Sequence, residues 1–416
     1  MNKSDRIAII GGGFSGLLIA ENLKTKGYSH ITVFEKGESL GGKLQTVWIK
    51  GKSYEIGAVF GLPAQKHMKH FMKGHGIKAD GPKLARIYYD SEGHKIMQIP
   101  KTSLGDFVKE LDRLPDVLSS YQSLEHESLS DLETSLMVPF SHWCDGHQFK
   151  VLKNIYAHYF TSYGLGDIEV LPAIYVLKIM NYDNLMSFME LPEFCTWKEG
   201  VSSLIKALEA NIDDVRLSQC VKNIQKTERE TLLVETVFET LEYEHVIIAA
   251  PLNQFARLFP DDPEMVYFLN QIKYQSYSVY LFAAENVPKG CGCVMENLSA
   301  NRRGHLVLWN SRWDPNEKDS IITVYAYDRP EDSKETSFNR VLSDLVDLGI
   351  QNPRLHQVKR WKQCPYLEPK VLEEGFYRKM DSVQGKDGIY IAGEIMSTVS
   401  MENCLRYSNY FVNRYF

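Results

Sequence analysis

A glycine motif near the N-terminus constrains this sequence more than any other feature. The segment Arg-Ile-Ala-Ile-Ile at 6–10 is followed directly by Gly-x-Gly-x-x-Gly at 11–16, then by a helical pattern at 17–26 and an apolar run at 31–34. This order predicts a strand, a glycine turn, a helix and a parallel strand. A motif in this strand–turn–helix context is typical of a dinucleotide-binding βαβ unit, and the combination is far more specific than the glycine spacing alone.

Each glycine of the motif has a separate physical role. Gly11 permits the tight turn, Gly13 lets the backbone approach a pyrophosphate, and Gly16 lets the helix pack on the strand. Backbone N–H groups and the positive end of the helix dipole then hold the phosphates. We include Phe14 and Ser15, which lie within the turn, among the residues expected to contact the cofactor.

Two further features extend this cofactor site. Glu35 ends the second strand 19 residues after Gly16 (35 − 16), close to the about 20 residues expected for an acid that binds ribose hydroxyls. Lys36 follows it and is also expected at the site. A second glycine pair ends at Gly42 and precedes Lys43, and glycines there let a cofactor approach the backbone again.

The rest of the chain predicts an α/β protein with two additional lobes. The run at 245–250 is apolar on both faces, as in a strand at the centre of a parallel sheet, and 388–393 is a short strand that ends in glycine. Residues 102–163 have a largely helical pattern, whereas 278–282 and 321–325 have β character. We therefore expect a Rossmann-type domain, a helical lobe and a second, mixed or antiparallel sheet.

The length supports a division into domains, since 416 residues exceed the about 250–300 at which a single core stops growing. We expect a discontinuous cofactor-binding domain made of 1–80, 196–262 and 368–416. A helical substrate or cap domain spans 81–195 in this interpretation, and a β-rich substrate-binding domain spans 263–367.

The segment Ile-Ala-Gly-Glu at 391–394 extends the pattern to the C-terminus. With the motif at 11–16, it resembles the FAD-binding fold of the amine oxidase, phytoene desaturase and protoporphyrinogen oxidase group. In that group the C-terminal glycine and acid lie at the flavin ribityl chain and pyrophosphate, and a valine contacts adenine through its backbone. The resemblance implies these roles for Gly393, Glu394 and Val221, with FAD held noncovalently.

Six further stretches match one family in the same order along nearly the whole chain. They are Tyr-Glu-Ile-Gly-Ala-Val-Phe-Gly-Leu-Pro at 54–63, Asp-Gly-Pro-Lys-Leu at 80–84, Phe-Thr-Ser-Tyr-Gly at 160–164, Pro-Ala-Ile-Tyr-Val-Leu-Lys at 172–178, Met-Ser-Phe at 186–188 and Ala-Gly-Glu-Ile-Met-Ser at 392–397. The set resembles the bacterial FAD-dependent polyunsaturated fatty acid isomerases, also called linoleate isomerases. For the first stretch, the resemblance implies cofactor contacts by Gly57 and Ala58 and a substrate contact by Phe60.

The resemblance implies a redox-neutral shift of a double bond. In these isomerases the flavin N5 takes a hydride from the methylene between two cis double bonds and returns it at a different carbon of the resulting pentadienyl cation. The implied substrate is a free polyunsaturated fatty acid, and the product is conjugated. Such chemistry needs no catalytic triad, because the cofactor carries the reaction and the protein supplies orientation and electrostatics.

Three residues match substrate-contacting positions of the isomerases. Arg86 matches the arginine that binds the fatty acid carboxylate, and a planar guanidinium suits a carboxylate. Tyr163 and Phe188 match the two aromatic residues that flank the acyl chain beside the flavin, where ring faces favour a cation. Without the resemblance, the more ordinary interpretation of Arg86 is a surface arginine in a strand. For Tyr163 and Phe188 it is packing in the core.

The sequence departs from that family at two of these positions. Tyr163 stands where the relative carries phenylalanine, and the added hydroxyl needs a partner if it is buried. Ala85 stands where the relative has a second arginine beside the carboxylate binder, which weakens the expectation of carboxylate recognition. Residues 398–404 also lack the glycine-rich continuation usual in amine oxidases, which weakens the amine oxidase interpretation.

Composition bears on the partners and the compartment. The net charge is -6 and the basic residues are scattered, so nucleic acid is not an expected partner. Seven cysteines without a secretory signal indicate reduced thiols in a cytoplasmic enzyme. No stretch reaches the about 18 unbroken apolar residues of a spanning helix, which leaves only transient membrane contact open.

Candidate metal ligands lack the spacing of a metal site. Cys291 and Cys293 form a Cys-x-Cys without a second pair at zinc spacing. His67, His70 and His75 lie among lysines on a predicted surface helix, where we expect a solvated face. We therefore expect no bound metal.

Two other functions stay open. A net oxidoreductase of the same fold, an amine oxidase or a desaturase, passes electrons to oxygen or another acceptor. A flavin- or lipid-binding protein without turnover is the third alternative. The sequence does not determine the preferred fatty acid, the double bond that moves, the product geometry or the oligomeric state.

Overall fold

The computed structural model of the protein describes residues 2–58, 61–62, 64–190, 193–313 and 319–416. In chain order its strands are β1 Arg6–Ile10, β2 His30–Phe34, β3 Thr46–Ile49, β4 Lys52–Glu55, β5 Leu84–Tyr89, β6 Lys95–Ile96, β7 Glu193–Phe194, β8 Asp214–Arg216, β9 Asn223–Lys226, β10 Leu232–Glu235, β11 Thr240–Tyr243, β12 His245–Ile248, β13 Lys273–Glu285, β14 Gly290–Val294, β15 Leu306–Ser311, β16 Ser320–Tyr327, β17 Gln351–Tyr366 and β18 Ile389–Ile391. The α-helices are α1 Phe14–Thr25, α2 Lys66–Gly74, α3 Leu104–Ser119, α4 Phe140–Gly146, α5 Lys150–Phe160, α6 Ala173–Ile179, α7 Tyr182–Glu190, α8 Ser202–Glu209, α9 Pro263–Asn270, α10 Lys334–Asp347, α11 Pro369–Glu373, α12 Phe376–Ser382, α13 Glu394–Ser397 and α14 Met401–Tyr415.

A five-stranded sheet has the order β18-β12-β1-β2-β8, and every neighbouring pair is parallel. Parallel neighbours need a crossover connection, which α1 provides between β1 and β2. The central strand is buried on both faces, with Ile7, Ala8 and Ile9 fully inaccessible, because an apolar run without alternation suits only that position. The predicted α/β class with a Rossmann-type sheet is confirmed.

An eight-stranded sheet forms the second large layer, in the order β17-β13-β16-β15-β14-β5-β6 with β7 paired to β5. Its pairs are antiparallel except for β14 and β5, which run parallel. The predicted second, mixed sheet is therefore present. However, β5, β6 and β7 come from the segment 81–195, which was expected to be helical, so this sheet is not built from 263–367 alone.

Two small antiparallel sheets complete the β structure in the described residues. One is the hairpin of β3 and β4, and the other is the order β11-β10-β9. None of the helices in the described ranges has the length and apolar content needed to cross a membrane.

Helix α5 is fixed at its N-terminus by a side chain from α3. The carboxylate of Glu110, which is buried, accepts hydrogen bonds from the backbone N–H groups of Lys150, Val151 and Leu152 at 2.9–3.1 Å. The first N–H groups of a helix have no partner within the helix, and a negative charge there also favours the helix dipole. Glu110 thereby holds the helix whose other end leads into Tyr163.

Glu110→Gln should lower the free energy of unfolding by about 1–2 kcal/mol, because the cap loses its charge and one acceptor oxygen while it remains buried. Urea unfolding followed by circular dichroism measures the change. Asp112→Asn, at an exposed position of the same helix, is the matched control and should change stability by less than about 0.5 kcal/mol. Equal stabilities for Glu110→Gln and the unaltered protein would contradict the capping role.

Candidate active site

A cavity of about 620 Å³ extends from the carboxyl end of β1 to the eight-stranded sheet. Gly11 and Gly13 of the glycine turn line one end, and Tyr277 and Tyr325 of the large sheet line the other. The volume lies within the roughly 300–1,000 Å³ of small-molecule and cofactor sites. Both large layers therefore contribute to one internal space.

The glycine turn brings two stretches of backbone together at the first end. Gly13 and Gly41 form an isolated parallel bridge. A Cβ atom on Gly16 would lie 2.1 Å from the carbonyl oxygen of Gly11, so Gly16 serves packing and is not itself on the cavity wall. A Cβ on Gly13 would meet nothing closer than the Cα of Gly42 at 4.0 Å, because this side of Gly13 faces the cavity.

The carboxylate of Glu35 is held beside this turn. The backbone N–H of Gly12 donates to Oε2 at 2.9 Å, and that of Gly37 donates to Oε1 at 2.7 Å. Each carboxylate oxygen has a second lone pair, so both can still accept from ligand hydroxyls. Glu35, Lys36, Phe14 and Ser15 line the cavity.

An ion pair occupies another part of the wall. Lys43 and Glu394 are joined through Nζ and Oε2, and both line the cavity together with Gly42. Gly393 has φ of +92°, a left-handed value that favours glycine. It is not on the cavity wall itself, but its turn leads the chain from β18 to Glu394.

Gly57 and Ala58 both line the cavity. The N–H of Ala58 donates to the carbonyl oxygen of Lys43 at 3.0 Å. A Cβ on Gly57 would lie 1.9 Å from the same oxygen, so glycine is required there. One residue earlier, the carbonyl of Ile56 accepts from Nε1 of Trp361 in β17 at 2.5 Å.

Val221 and Gln219, which follow β8 in the chain, lie on the cavity wall near Glu35. Val221 lines the cavity, which is compatible with the implied adenine contact. Gln219 lines it as well, and its buried Oε1 has no hydrogen-bond partner in the part of the chain that the structure describes. This oxygen can accept from a bound ligand. Gln219 was not predicted as a site residue, since an isolated glutamine in a loop belongs to no motif.

The first end of the cavity fits the phosphates and ribose of a dinucleotide cofactor. Gly13 offers a backbone open to the cavity, where a side chain would fill the space. Glu35 offers two fixed acceptor oxygens, and Gln219 offers an acceptor without a protein partner in the described ranges. Backbone N–H groups at the start of α1 are the natural donors for phosphate oxygens.

The second end of the cavity is aromatic. Tyr163 lines it with Tyr159 and Phe194. The ring centroid of Tyr163 lies 5.2 Å from that of Tyr159 and 5.6 Å, edge to face, from that of Phe194. Burial raises the pKa of Tyr163 well above its ordinary value, so its hydroxyl stays protonated. These three rings carry no charge and suit a hydrocarbon chain.

Arg86 and Phe188 lie behind this wall and are not among the described residues that line the cavity. The Cζ atom of Arg86 lies 4.1 Å from the ring centroid of Phe188 and 5.7 Å from that of Phe194. Phe188 packs edge to face on Tyr159 at 4.9 Å. One layer of rings thus separates the guanidinium from the cavity. Phe60 lies outside the described residues.

No group of three or more His, Cys, Asp or Glu side chains within the described ranges is arranged to hold a metal ion. Cys291 and Cys293 are buried in β14. His67 and His70 are exposed, as expected. The expectation of a solvated position was wrong for His75. This side chain is partly buried, and its Nε2 is hydrogen-bonded to Oε1 of Glu21 at 2.7 Å, because the last turn of α2 faces α1.

Solved structures similar to this one cover the whole chain. The crystal structure of a CLA-producing fatty acid isomerase from P. acnes matches with a TM-score of 0.94 and 26% identity over 100% of both chains. Cyclohexylamine oxidase from Brevibacterium oxydans matches with a TM-score of 0.72 over 99% of this chain and 98% of that one. Its identity of 16% supports a shared fold alone.

Sequence comparison gives shorter matches to curated proteins. Human prenylcysteine oxidase 1 is 39% identical over 77 residues, which are 18% of this chain and 15% of that protein. The 1-hydroxycarotenoid 3,4-desaturase of Flavobacterium sp. is 45% identical over 56 residues, 13% of this chain and 11% of that enzyme. These matches span less than a fifth of either partner.

The family-level match covers far more of the sequence. Residues 14–407 match the family described as flavin containing amine oxidoreductases. That range contains most of the cavity wall, from the start of α1 to Cys404 on α14. The chain belongs to the flavin-containing amine oxidoreductase family.

Proposed function

We propose that this protein is an FAD-dependent isomerase that shifts a double bond of a free polyunsaturated fatty acid, such as linoleate, to give a conjugated product. FAD is bound noncovalently in this proposal, and no net electron transfer occurs. The full-length similarity to the CLA-producing fatty acid isomerase, with a TM-score of 0.94 at 26% identity, carries the proposal. The aromatic end of the cavity, lined by Tyr163, Tyr159 and Phe194, is compatible with the hydrocarbon chain of such a substrate.

FAD, when bound, supplies the acceptor and donor of the hydride that moves between carbons of the substrate. The protein then has to orient the acyl chain and stabilise positive charge on it. The rings of Tyr163, Tyr159 and Phe194 line the cavity, and aromatic faces attract cationic charge. Good alignment of the reacting atoms alone can contribute about 7–11 kcal/mol of barrier lowering.

Arg86 is the proposed anchor for the substrate carboxylate. It is held on β5 with its guanidinium against Phe188, and a planar guanidinium can bind both carboxylate oxygens. Successive side chains of a strand point to opposite faces. Ala85, which is exposed, therefore points to the face of β5 opposite Arg86. The replacement of the relative's second arginine by Ala85 consequently does not change the face on which Arg86 lies.

A net oxidoreductase is the second candidate. The match of residues 14–407 to flavin containing amine oxidoreductases favours it, because enzymes of that description pass electrons on. The aromatic wall gives no preference between an apolar amine and a fatty acid. The fate of the electrons separates the two candidates.

Purified protein mixed with linoleic acid in the absence of oxygen should form conjugated diene over many turnovers, while the flavin spectrum stays oxidised at steady state. The reason is that an internal hydride shift needs no external acceptor. Ultraviolet absorbance of the diene and visible absorbance of the flavin measure both quantities together. A flavin that bleaches once, with no further product, would instead indicate an oxidase or desaturase.

Arg86→Ala should raise the KM for linoleate about 10–100-fold, the loss expected for a charge-assisted hydrogen bond of about 1.5–3 kcal/mol. The flavin content should not change. Arg113→Ala is the matched control, because Arg113 also stacks on a phenylalanine, Phe149, with its Cζ 5.0 Å from the ring centroid. Unaltered kinetics of Arg86→Ala would remove Arg86 from the site.

Gly13→Ala should fold but lose most of its flavin. The backbone of Gly13, with φ -77° and ψ 174°, is accessible to alanine, whereas the methyl group would enter the cavity where a pyrophosphate approaches the backbone. The ratio of flavin absorbance to protein absorbance in the purified protein measures the loss. Gly105→Ala, where an added Cβ meets nothing within 4 Å, is the control and should retain full flavin.

A further inference from the structure

Four apolar side chains at the end of β6 and the start of α3 are exposed to solvent. Met97 is 56% exposed, Val108 54%, Leu104 45% and Ile96 39%. They are four of the twelve exposed large hydrophobic side chains in the described ranges, and all four lie within 96–108. Single exposed apolar side chains are ordinary, whereas a group of them marks an interaction site. We call this group the α3/β6 surface.

The α3 half of this surface is the uncovered edge of an amphipathic helix. Apolar residues occupy positions 104, 107, 108 and 111, the spacing of one helix face. Phe107 and Leu111 are partly buried against the core, whereas Leu104 and Val108 remain about half exposed. A Cβ added to Gly105 would meet nothing within 4 Å, so no described part of the chain covers this turn on that side. The first turns of α3 therefore carry a wider apolar stripe than the core covers.

The β6 half continues the surface along the edge of the large sheet. β6 is the last strand in the order of the eight-stranded sheet, Ile96 ends it and Met97 follows. Met97 and Leu104 are seven residues apart (104 − 97), so their Cα atoms lie at most about 25 Å from each other. The helical turn at Lys101–Ser103 shortens that path. Both halves therefore fit within one contact area.

The charged residues around this surface are mainly basic. Lys95, Lys101 and Lys109 are all exposed. Asp106, whose Oδ1 lies 3.6 Å from Nζ of Lys109, is the only acidic residue of the segment 95–109. The segment therefore has a net charge of +2 (3 − 1), although the whole chain has a net charge of -6. This local charge complements an anionic surface.

We propose that the α3/β6 surface docks the protein onto the face of a lipid bilayer that contains anionic phospholipid. Aliphatic side chains with lysines around them are typical of helices that lie in a membrane interface. Lysine suits this position because its stem covers apolar surface while its charge stays at the headgroups. Trp, Tyr and Arg, which dominate the binding energy of protein–protein interfaces, are absent from 95–109.

Membrane docking agrees with the proposed function, because a free fatty acid dissolves in the same phase, but it does not depend on that function. The α3/β6 surface is made of residues that do not line the cavity. Binding to a bilayer can therefore be measured without turnover, and variants of this surface leave the cavity wall intact.

Sedimentation of the full chain with lipid vesicles tests the docking. The protein should bind vesicles of equal parts phosphatidylcholine and phosphatidylglycerol about 30-fold more tightly than vesicles of phosphatidylcholine alone, the equivalent of about 1 kcal/mol for each of two net charges. High salt should reduce this difference, because it screens the charges. The absence of binding to either kind of vesicle would overturn the proposal.

Met97→Gln and Val108→Thr place polar side chains of similar size on the two halves of the surface. Each should weaken binding to both kinds of vesicle about fivefold, the equivalent of about 1 kcal/mol of lost apolar contact. Phe238→Gln is the control, since Phe238 is 73% exposed on the turn between β10 and β11, and it should bind like the unaltered protein. A loss in one half alone, or an equal loss in the control, would contradict a single docking surface.

Lys101→Gln tests the electrostatic contribution. It should weaken binding to the anionic vesicles about fivefold and leave binding to phosphatidylcholine unchanged. Lys334→Gln is the matched control, because Lys334 is exposed at the start of α10, which packs on β17 at the opposite edge of the sheet from β6. Equal losses in both variants would show that overall charge decides the binding, and would overturn the proposed surface.

A second copy of this chain is the other occupant that the same variants can reveal. If Met97→Gln and Val108→Thr convert a dimer into a monomer in size-exclusion chromatography while no variant differs in vesicle binding, the surface is a subunit interface and the membrane proposal is wrong. Conjugated diene formed from linoleate in detergent reports the proposed function separately. Its rate should be the same in all these variants, and its absence from the unaltered protein would contradict the proposed function alone.

Discussion

The close approach of two glycine-containing backbones at the end of β1 is the constraint on which the cofactor end of the site depends. The N–H of Gly11 donates to the carbonyl of Phe34 at 2.8 Å, which continues the pairing of β1 and β2 into the turn. The bridge between Gly13 and Gly41 then closes the turn. Backbone atoms make these contacts, so they hold this part of the cavity wall in place. No side chain is needed for that purpose, and the space of the cavity stays open.

A buried ion pair fixes the aromatic end relative to the cofactor end. Nη1 of Arg312 lies 2.6 Å from Oε1 of Glu55, and both side chains are 1% exposed. Glu55 also accepts from Thr46 and from the backbone of Val201. Loss of one partner of such a pair costs about 3–5 kcal/mol. Glu55 precedes Gly57 by two residues and Arg312 directly follows β15, so the pair joins the two halves of the cavity wall.

The features that could be predicted from the sequence are those that local patterns determine. The turn at 11–16 and the position of Glu35 follow from strand periodicity and glycine spacing over a few tens of residues. The placement of β5 in the second sheet depends on the pairing of Arg86 with Cys291, which is 205 residues later (291 − 86), and no local pattern encodes that contact.

The fate of the hydrogen removed from the substrate tests the central claim most directly. Linoleate that carries deuterium at the methylene between its two double bonds should give a conjugated product that retains one transferred deuterium at a new carbon, without oxygen consumption. Nuclear magnetic resonance of the product and an oxygen electrode measure these two outcomes. Loss of that deuterium from the product together with stoichiometric consumption of oxygen would contradict a redox-neutral isomerase and support an oxidase.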